Sequence, residues 1–181
     1  MKTKKLFSVF LCAISIVLFA SCDKIKKSSI TSQKSIKIEV ETEVKAGVVT
    51  YSFLRAGEVN TFTGTANVRL SNFDELGGLD ISSVTVINVT VETACTETGD
   101  YYAEDIRFES TGTSAIVDRI VIGESLSNNS DVNLFIQTVL NNLINGNTVP
   151  ITISGKTNLN PPGEKIIYTL KIDAKWTSDI I

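Results

Sequence analysis

Six carboxylates crowd residues 92–109: Glu92, Glu97, Asp100, Glu104, Asp105 and Glu109, offset there only by Arg107. Carboxylates hold hard cations and do the proton-transfer work of glycosidases. Asp100, Glu104 and Asp105 are the weak candidates for Ca2+, but no Asp-x-Asp-x-Asp-Gly run orders them, and solvated hairpin faces explain the cluster more simply. A glycosidase also needs a cleft that keeps one acid protonated, and no pattern announces one. The expectation is therefore no metal, no cofactor and no catalytic residue. Tyr101 and Tyr102 follow the acidic turn, and neighbours on a strand point to opposite faces, so one ring should pack inside and the other stay outside. An exposed aromatic beside carboxylates suits a sugar or a protein partner. Asn128 and Asn129, in the Ser127–Ser130 loop, offer amides to glycan hydroxyls, although a turn accounts for them as well.

Other chemistries fall away on residue type. The chain has no histidine, which removes Ser-His-Asp and Cys-His arrangements and His-containing zinc sites. Gly155-Lys156-Thr157 matches the tail of a phosphate-binding loop, but the full motif needs a glycine where Pro150 stands and a helix afterwards. Of three cysteines, Cys12 lies in the apolar N-terminal segment, Cys22 closes it, and Cys95 stands alone. A lone Cys95 reads as a small buried hydrophobe, since Glu92 and Glu97 flank it where a reactive thiol wants cations.

Charge narrows the partners. The formal net charge is −3, and setting aside Lys2, Lys4 and Lys5 deepens it by three. Between Ala46 and Gly155 there are thirteen Asp or Glu, four Arg and no Lys. Nucleic acid demands clustered Lys and Arg, so none is expected as partner, and this region should not dock on anionic lipid.

The N-terminus carries the most specific pattern. Lys2, Lys4 and Lys5 precede an apolar run from Leu6 to Phe19, and small Ala20 and Ser21 lead into Cys22, which is the layout of a secretory signal. The run is too short to span a bilayer as a helix. Leu18-Phe19-Ala20-Ser21-Cys22 resembles the lipobox of a bacterial lipoprotein. The resemblance implies cleavage before Cys22, lipid on its sulfur and new amine, and attachment to the envelope of a Gram-negative cell, with the outer membrane as the expected address. Two or more acyl chains anchor firmly where one does not. With residues 1–21 removed as signal peptide, 160 remain, enough for one domain.

These features need elements to carry them. Residues 22–34 are polar and rich in Ser and Lys, and read as lipidated Cys22 followed by a flexible tether. A single domain follows over 35–181. Ile36, Ile38, Val40 and Val44 alternate with Lys37, Glu39, Glu41, Glu43 and Lys45, the mark of a strand with one wet face. Further strands are expected at Val48–Arg55, Thr61–Leu70, Ser82–Cys95, Tyr101–Ser110, Ser114–Ile122, Val149–Thr157 and Lys165–Trp176. The connection at 72–80 contains Gly77-Gly78. Apolar parity changes between Val84/Val86 and Val89/Val91, which predicts a β-bulge or bend near Ile87. Val132, Phe135, Ile136, Val139, Leu140 and Leu143 follow helical spacing, so one amphipathic helix is expected near 131–145, capped by Ser130 or Asp131 and ended at Gly146. Its polar face carries Asn133, Gln137, Thr138, Asn141 and Asn142, and its role is to plug an end or flank.

The chain is thus expected to be mainly β, an antiparallel β-sandwich with one helix. The helix running into a closing hairpin over the last fifty residues is similar to immunoglobulin-like sandwiches of the late-embryogenesis-abundant (WHy) type. A closed lipocalin-like barrel is the alternative. The expected function is a non-catalytic, lipid-anchored envelope module that binds a protein or glycan or serves structurally. The alternatives are a carrier of an apolar ligand, which needs an empty barrel, and a carboxylate-dependent hydrolase.

Overall fold

The alternation at residues 36–45 forms strand β1 (Ser28–Lys45), with Ile36, Ile38, Val40 and Val44 buried and the charged residues between them exposed. The computed structural model describes residues 28–47, 59–76, 79–160 and 162–180. The expected signal peptide and lipobox, Cys22, the strand expected at Val48–Arg55 and the Gly77-Gly78 pair lie outside the described residues. In chain order β1 is followed by β2 (Asn60–Val68), β3 (Ile81–Cys95), β4 (Tyr102–Ser110), β5 (Thr113–Val121), β6 (Ser125–Ser127), helix α1 (Ser130–Ile144), β7 (Val149–Thr157) and β8 (Lys165–Ile180). All eight described strands belong to one antiparallel sheet, ordered β5-β4-β7-β2-β1-β8-β3-β6 and nearly closed into a barrel.

One boundary moves. β1 begins at Ser28, inside the stretch expected to be tether, and runs in unbroken register against β8 from Ser28↔Ile180 to Glu43↔Lys165. Serines and lysines there hide a strand whose partner lies almost the whole chain away. The connection after β2 is also more ordered than expected. Two single-turn 3-10 helices, Leu70–Asn72 and Asp74–Leu76, lower Phe73 and Leu76 into the core.

The curl has a local cause. β1 and β2 pair only from Glu43↔Thr63 to Lys45↔Thr61 and then separate. At the parting point a Cβ on Gly64 would lie 2.0 Å from the Glu41 carbonyl oxygen, so the two backbones approach as only glycine permits. Buried Thr42 donates its hydroxyl to the Ile166 carbonyl at 2.9 Å and keeps β1 on β8 through the bend. The expected bulge in β3 is present, with a register shift between Val86 and Asn88 that leaves Ile87 exposed.

Helix α1 fills the open side. Val132, Phe135, Ile136, Val139, Leu140 and Leu143 are buried, the helix packing on β3 and β5 as the spacing predicted, while Leu134 faces solvent. At about 1.5–3 kcal/mol each, their burial contributes on the order of 10 kcal/mol as an upper estimate. The side chains of Asn133 and Gln137, expected on a wet face, instead serve the edge of β3. The Val89 amide donates to Asn133 Oδ1 at 2.9 Å and the Val86 amide to Gln137 Oε1 at 2.8 Å. Gln137 Nε2 donates to the Val84 carbonyl at 3.0 Å. Short β6 covers β3 only at Thr90–Glu92, so the helix satisfies edge groups that β6 does not reach. Inside, Tyr168 stacks on Phe62 with centroids 5.6 Å apart and meets Phe108 edge-on at 6.3 Å, and Phe108 meets Phe135 of the helix at 6.1 Å.

Candidate functional site

Tyr101, Tyr102 and the acids around them gather where β4 begins. Tyr102 enters the sheet opposite Val121, and its ring lies under the Arg119 guanidinium, 4.0 Å from Cζ to the ring centroid. Such a stack is worth about 0.5–1 kcal/mol at a surface. Tyr101 packs against the edge of the core and over Gly99. Both rings are half-buried, so the expected split into one inner and one outer tyrosine is softened. The backbone here is held firmly. Asn158 accepts from the Tyr102 amide at 2.8 Å and donates to the Asp100 carbonyl at 3.2 Å, while Thr157 donates to the Tyr102 carbonyl at 2.7 Å.

The acidic cluster is spread over β3 (Glu92), the turn that follows (Glu97, Asp100) and β4 (Glu104, Asp105, Glu109). Asp105 sits at a bulge between Glu104 and Arg107, with φ 51°, a left-handed conformation uncommon for a non-glycine residue. Gly155 lies opposite, where a Cβ would come within 2.7 Å of the Phe62 ring and 2.9 Å of the Glu104 carbonyl oxygen. The bulge aims Asp105 at Lys156, 2.7 Å away, and that hydrogen bond holds the Lys156 ammonium above its usual range. Glu92 pairs with Lys171 at 2.5 Å, and Glu109 lies 3.6 Å from Arg107. Among the described residues no three acids or thiols are placed to share a metal ion. Asp100, Glu104 and Asp105 are therefore neighbours in sequence that the fold does not turn into a ligand set.

The remaining candidates take local roles. Asn129, expected as a glycan contact, is the N-cap of α1, its Oδ1 accepting from the amides of Asp131 and Val132 at 3.0 Å each. It does the work assigned to Ser130 or Asp131. Asn128 adopts φ 59° and donates its amide to Asn88 on β3 at 3.2 Å, a turn contact away from the tyrosines. Gly155-Lys156-Thr157 lies inside β7, with no helix after it. Cys95 is half-buried and gives its thiol to the Glu97 carbonyl at 3.3 Å. Burial raises its pKa, and the charges of Glu164 and Glu97 add to the effect against a lowering by the backbone bond, so it stays a poor nucleophile.

Solvent-open grooves lie on the described surface. One, of about 310 Å3, runs between Arg69, Leu70, Leu143 and Thr148 at the end of α1. A second, of about 300 Å3, lies between Glu92, Gly123, Glu124 and Thr169. Beside the second, Gly123 donates its amide to the Thr93 carbonyl at 3.0 Å and ties the turn after β5 to β3. Pairing reasoning on single strands could not find it, since it forms where the two ends of the sheet meet. No family model matches this chain, and no match is found among the curated proteins.

Proposed function

We propose that the chain is a lipid-anchored envelope protein, held through Cys22 at the outer membrane of a Gram-negative cell, whose β-domain is a non-catalytic binding or structural module. The observation that carries the reading is Leu18-Phe19-Ala20-Ser21-Cys22 after a basic and apolar leader. The domain is compatible with presentation rather than turnover. Asp105, Glu92 and Glu109 each lie beside a cation, and the chain contains no histidine. The half-buried pair of Tyr102 and Arg119, rimmed by Glu104, is the patch best suited to a protein or glycan.

We read the curled sheet as a barrel-like body whose open side is filled by α1, nearer to the barrel alternative than to a two-layer sandwich. The carrier reading draws less support, because the described interior is occupied by Phe62, Phe108, Phe135, Tyr168 and the apolar stripe of α1. The test is cross-linking of the native chain in its own envelope, followed by identification of what is captured, beside a Cys22→Ala variant. The variant should leave the membrane fraction. Firm retention of Cys22→Ala would refute the lipid anchor, and ester or glycan hydrolysis abolished by Glu104→Gln would refute the non-catalytic reading.

A further inference from the structure

The place where β1 begins determines how such a protein would stand on its membrane. Residues 23–27 are all that separate Cys22 from Ser28, the first described residue of β1. Five residues span at most about 17 Å when fully extended, and about 12–13 Å as a coil. β1 itself climbs much farther, at about 3.3 Å per residue over its 18 residues. A spacer that short cannot carry the far end of the body to the bilayer.

The end nearest the anchor is built from three strands. β8 lies between β1 and β3, with Ser28↔Ile180 and Ile81↔Ser178 marking its lower limit. β1 parts from β2 beyond Glu43↔Thr63, so Ser28–Thr42 projects with β8 as its one pairing partner among the described strands. This projection is stiffened from within. Trp176 is buried and donates its indole N–H to the Lys34 carbonyl at 3.3 Å, Thr31 and Thr177 share a hydrogen bond at 3.0 Å, and Lys34 reaches the Glu75 carbonyl. Its tip exposes Ile30 at 55 % and Leu79 at 40 %. Lys24, Lys26 and Lys27 fall between it and the anchor.

Charge is mixed at the projecting end, where exposed Asp80 and half-buried Asp179 accompany the lysines, and one-signed at the other. Glu97, Asp100, Glu104, Glu124 and Glu164 all belong to the opposite end, where β3, β4, β5 and β8 turn. An anionic lipid surface attracts the three lysines and repels that acidic rim, within a Debye length of about 8 Å.

Resting on the lipid-anchor reading, we propose that the projecting end of β1, β8 and β3 is the membrane-facing surface of the protein, with Ile30 at the lipid headgroups, and that the Tyr102 end is held outward. The partner of this surface is the bilayer that carries the Cys22 lipid. The body stands upright because the strand leaves the anchor almost directly.

Single cysteines at Ile30 and at Thr98, in a Cys95→Ser background with the Cys22 sulfur taken up by lipid, allow the geometry to be read in the full lipidated chain. Register places Ser178, opposite Ile30, twelve residues below Ile166, opposite Cys95, so the two labels should differ in height by about 40 Å. Energy transfer from each label to a dye in vesicles containing anionic lipid should be severalfold stronger at residue 30. Inserting about 20 Gly/Ser residues before Ser28, with an r.m.s. length of roughly 25 Å, should reduce that ratio. Equal transfer from the two positions in the firmly bound chain, or a ratio unchanged by the spacer, overturns the orientation. If Cys22→Ala binds the vesicles as well as the lipidated chain, the anchor itself fails, and the orientation argued from it falls for that separate reason.

Discussion

Tyr168→Phe should stabilise this protein, and more so in alkali. The Tyr168 ring is fully buried between Phe62 and Phe108, yet its hydroxyl finds no hydrogen-bond partner among the described residues. Burying such a group unpaired costs about 1–3 kcal/mol, while phenylalanine keeps the ring contacts and drops the hydroxyl. The substitution should therefore raise unfolding free energy at neutral pH by about 1 kcal/mol, or about 2–4 °C in Tm for a domain of this size. A pH term adds to this. Burial raises the Tyr168 pKa well above the ordinary phenol value, so the folded state keeps the proton where the unfolded state sheds it. The stability tied to that proton is fully present below about pH 10 and is lost as pH rises toward the folded-state pKa, by up to about 1.4 kcal/mol per pH unit. Urea unfolding of both proteins at neutral pH and at about pH 10.5 checks the two terms. The variant's advantage should widen in alkali. A variant less stable than the parent by about 1 kcal/mol at neutral pH would mean that the hydroxyl is paired, and would refute the reasoning.

Further substitutions test how the barrel-like body is closed, bent and capped. Gln137→Ala strips the β3 edge of two hydrogen bonds and should cost about 1–3 kcal/mol, with faster amide exchange at Val86; unchanged exchange there would show that the helix does not guard the edge. Gly155→Val places a side chain against Phe62 and the Glu104 carbonyl and should cost about 1–3 kcal/mol by thermal melt, whereas a neutral result would mean that the bulge at Asp105 yields freely. Asn129→Ala removes the cap of α1 and should cost about 0.5–2 kcal/mol, while Ser130→Ala should be nearly silent; the reverse order would return the cap to Ser130.

The short-range physics was open to reading in the chain. Strict alternation marks β1 and β8 because one face is buried and the other wet, and helical spacing marks α1 because six apolar residues share one stripe. The parity change near Ile87 revealed the bulge, since an inserted residue flips every later side chain to the other face. Ser28–Lys34 escaped for the converse reason. Its polar composition resembles a tether, and only the partner strand at 174–180 makes it a strand. The candidate contacts at Asn128, Asn129 and Asp105 were residues of the right type whose roles depended on neighbours that local sequence does not name.

By itself the sequence determined the lipobox-like pattern ending at Cys22, the absence of histidine, the acidity of the chain and the strand-rich pattern with one helix, all of them properties of residue type and spacing. Tertiary structure alone decided that the strands curl into one nearly closed sheet at Gly64, that Asn133 and Gln137 of the helix complete its open edge, and that Asp105 and Glu92 meet separate lysines. Those outcomes depend on which distant backbones meet, and hydrogen-bond geometry between strands is created only when the chain closes on itself.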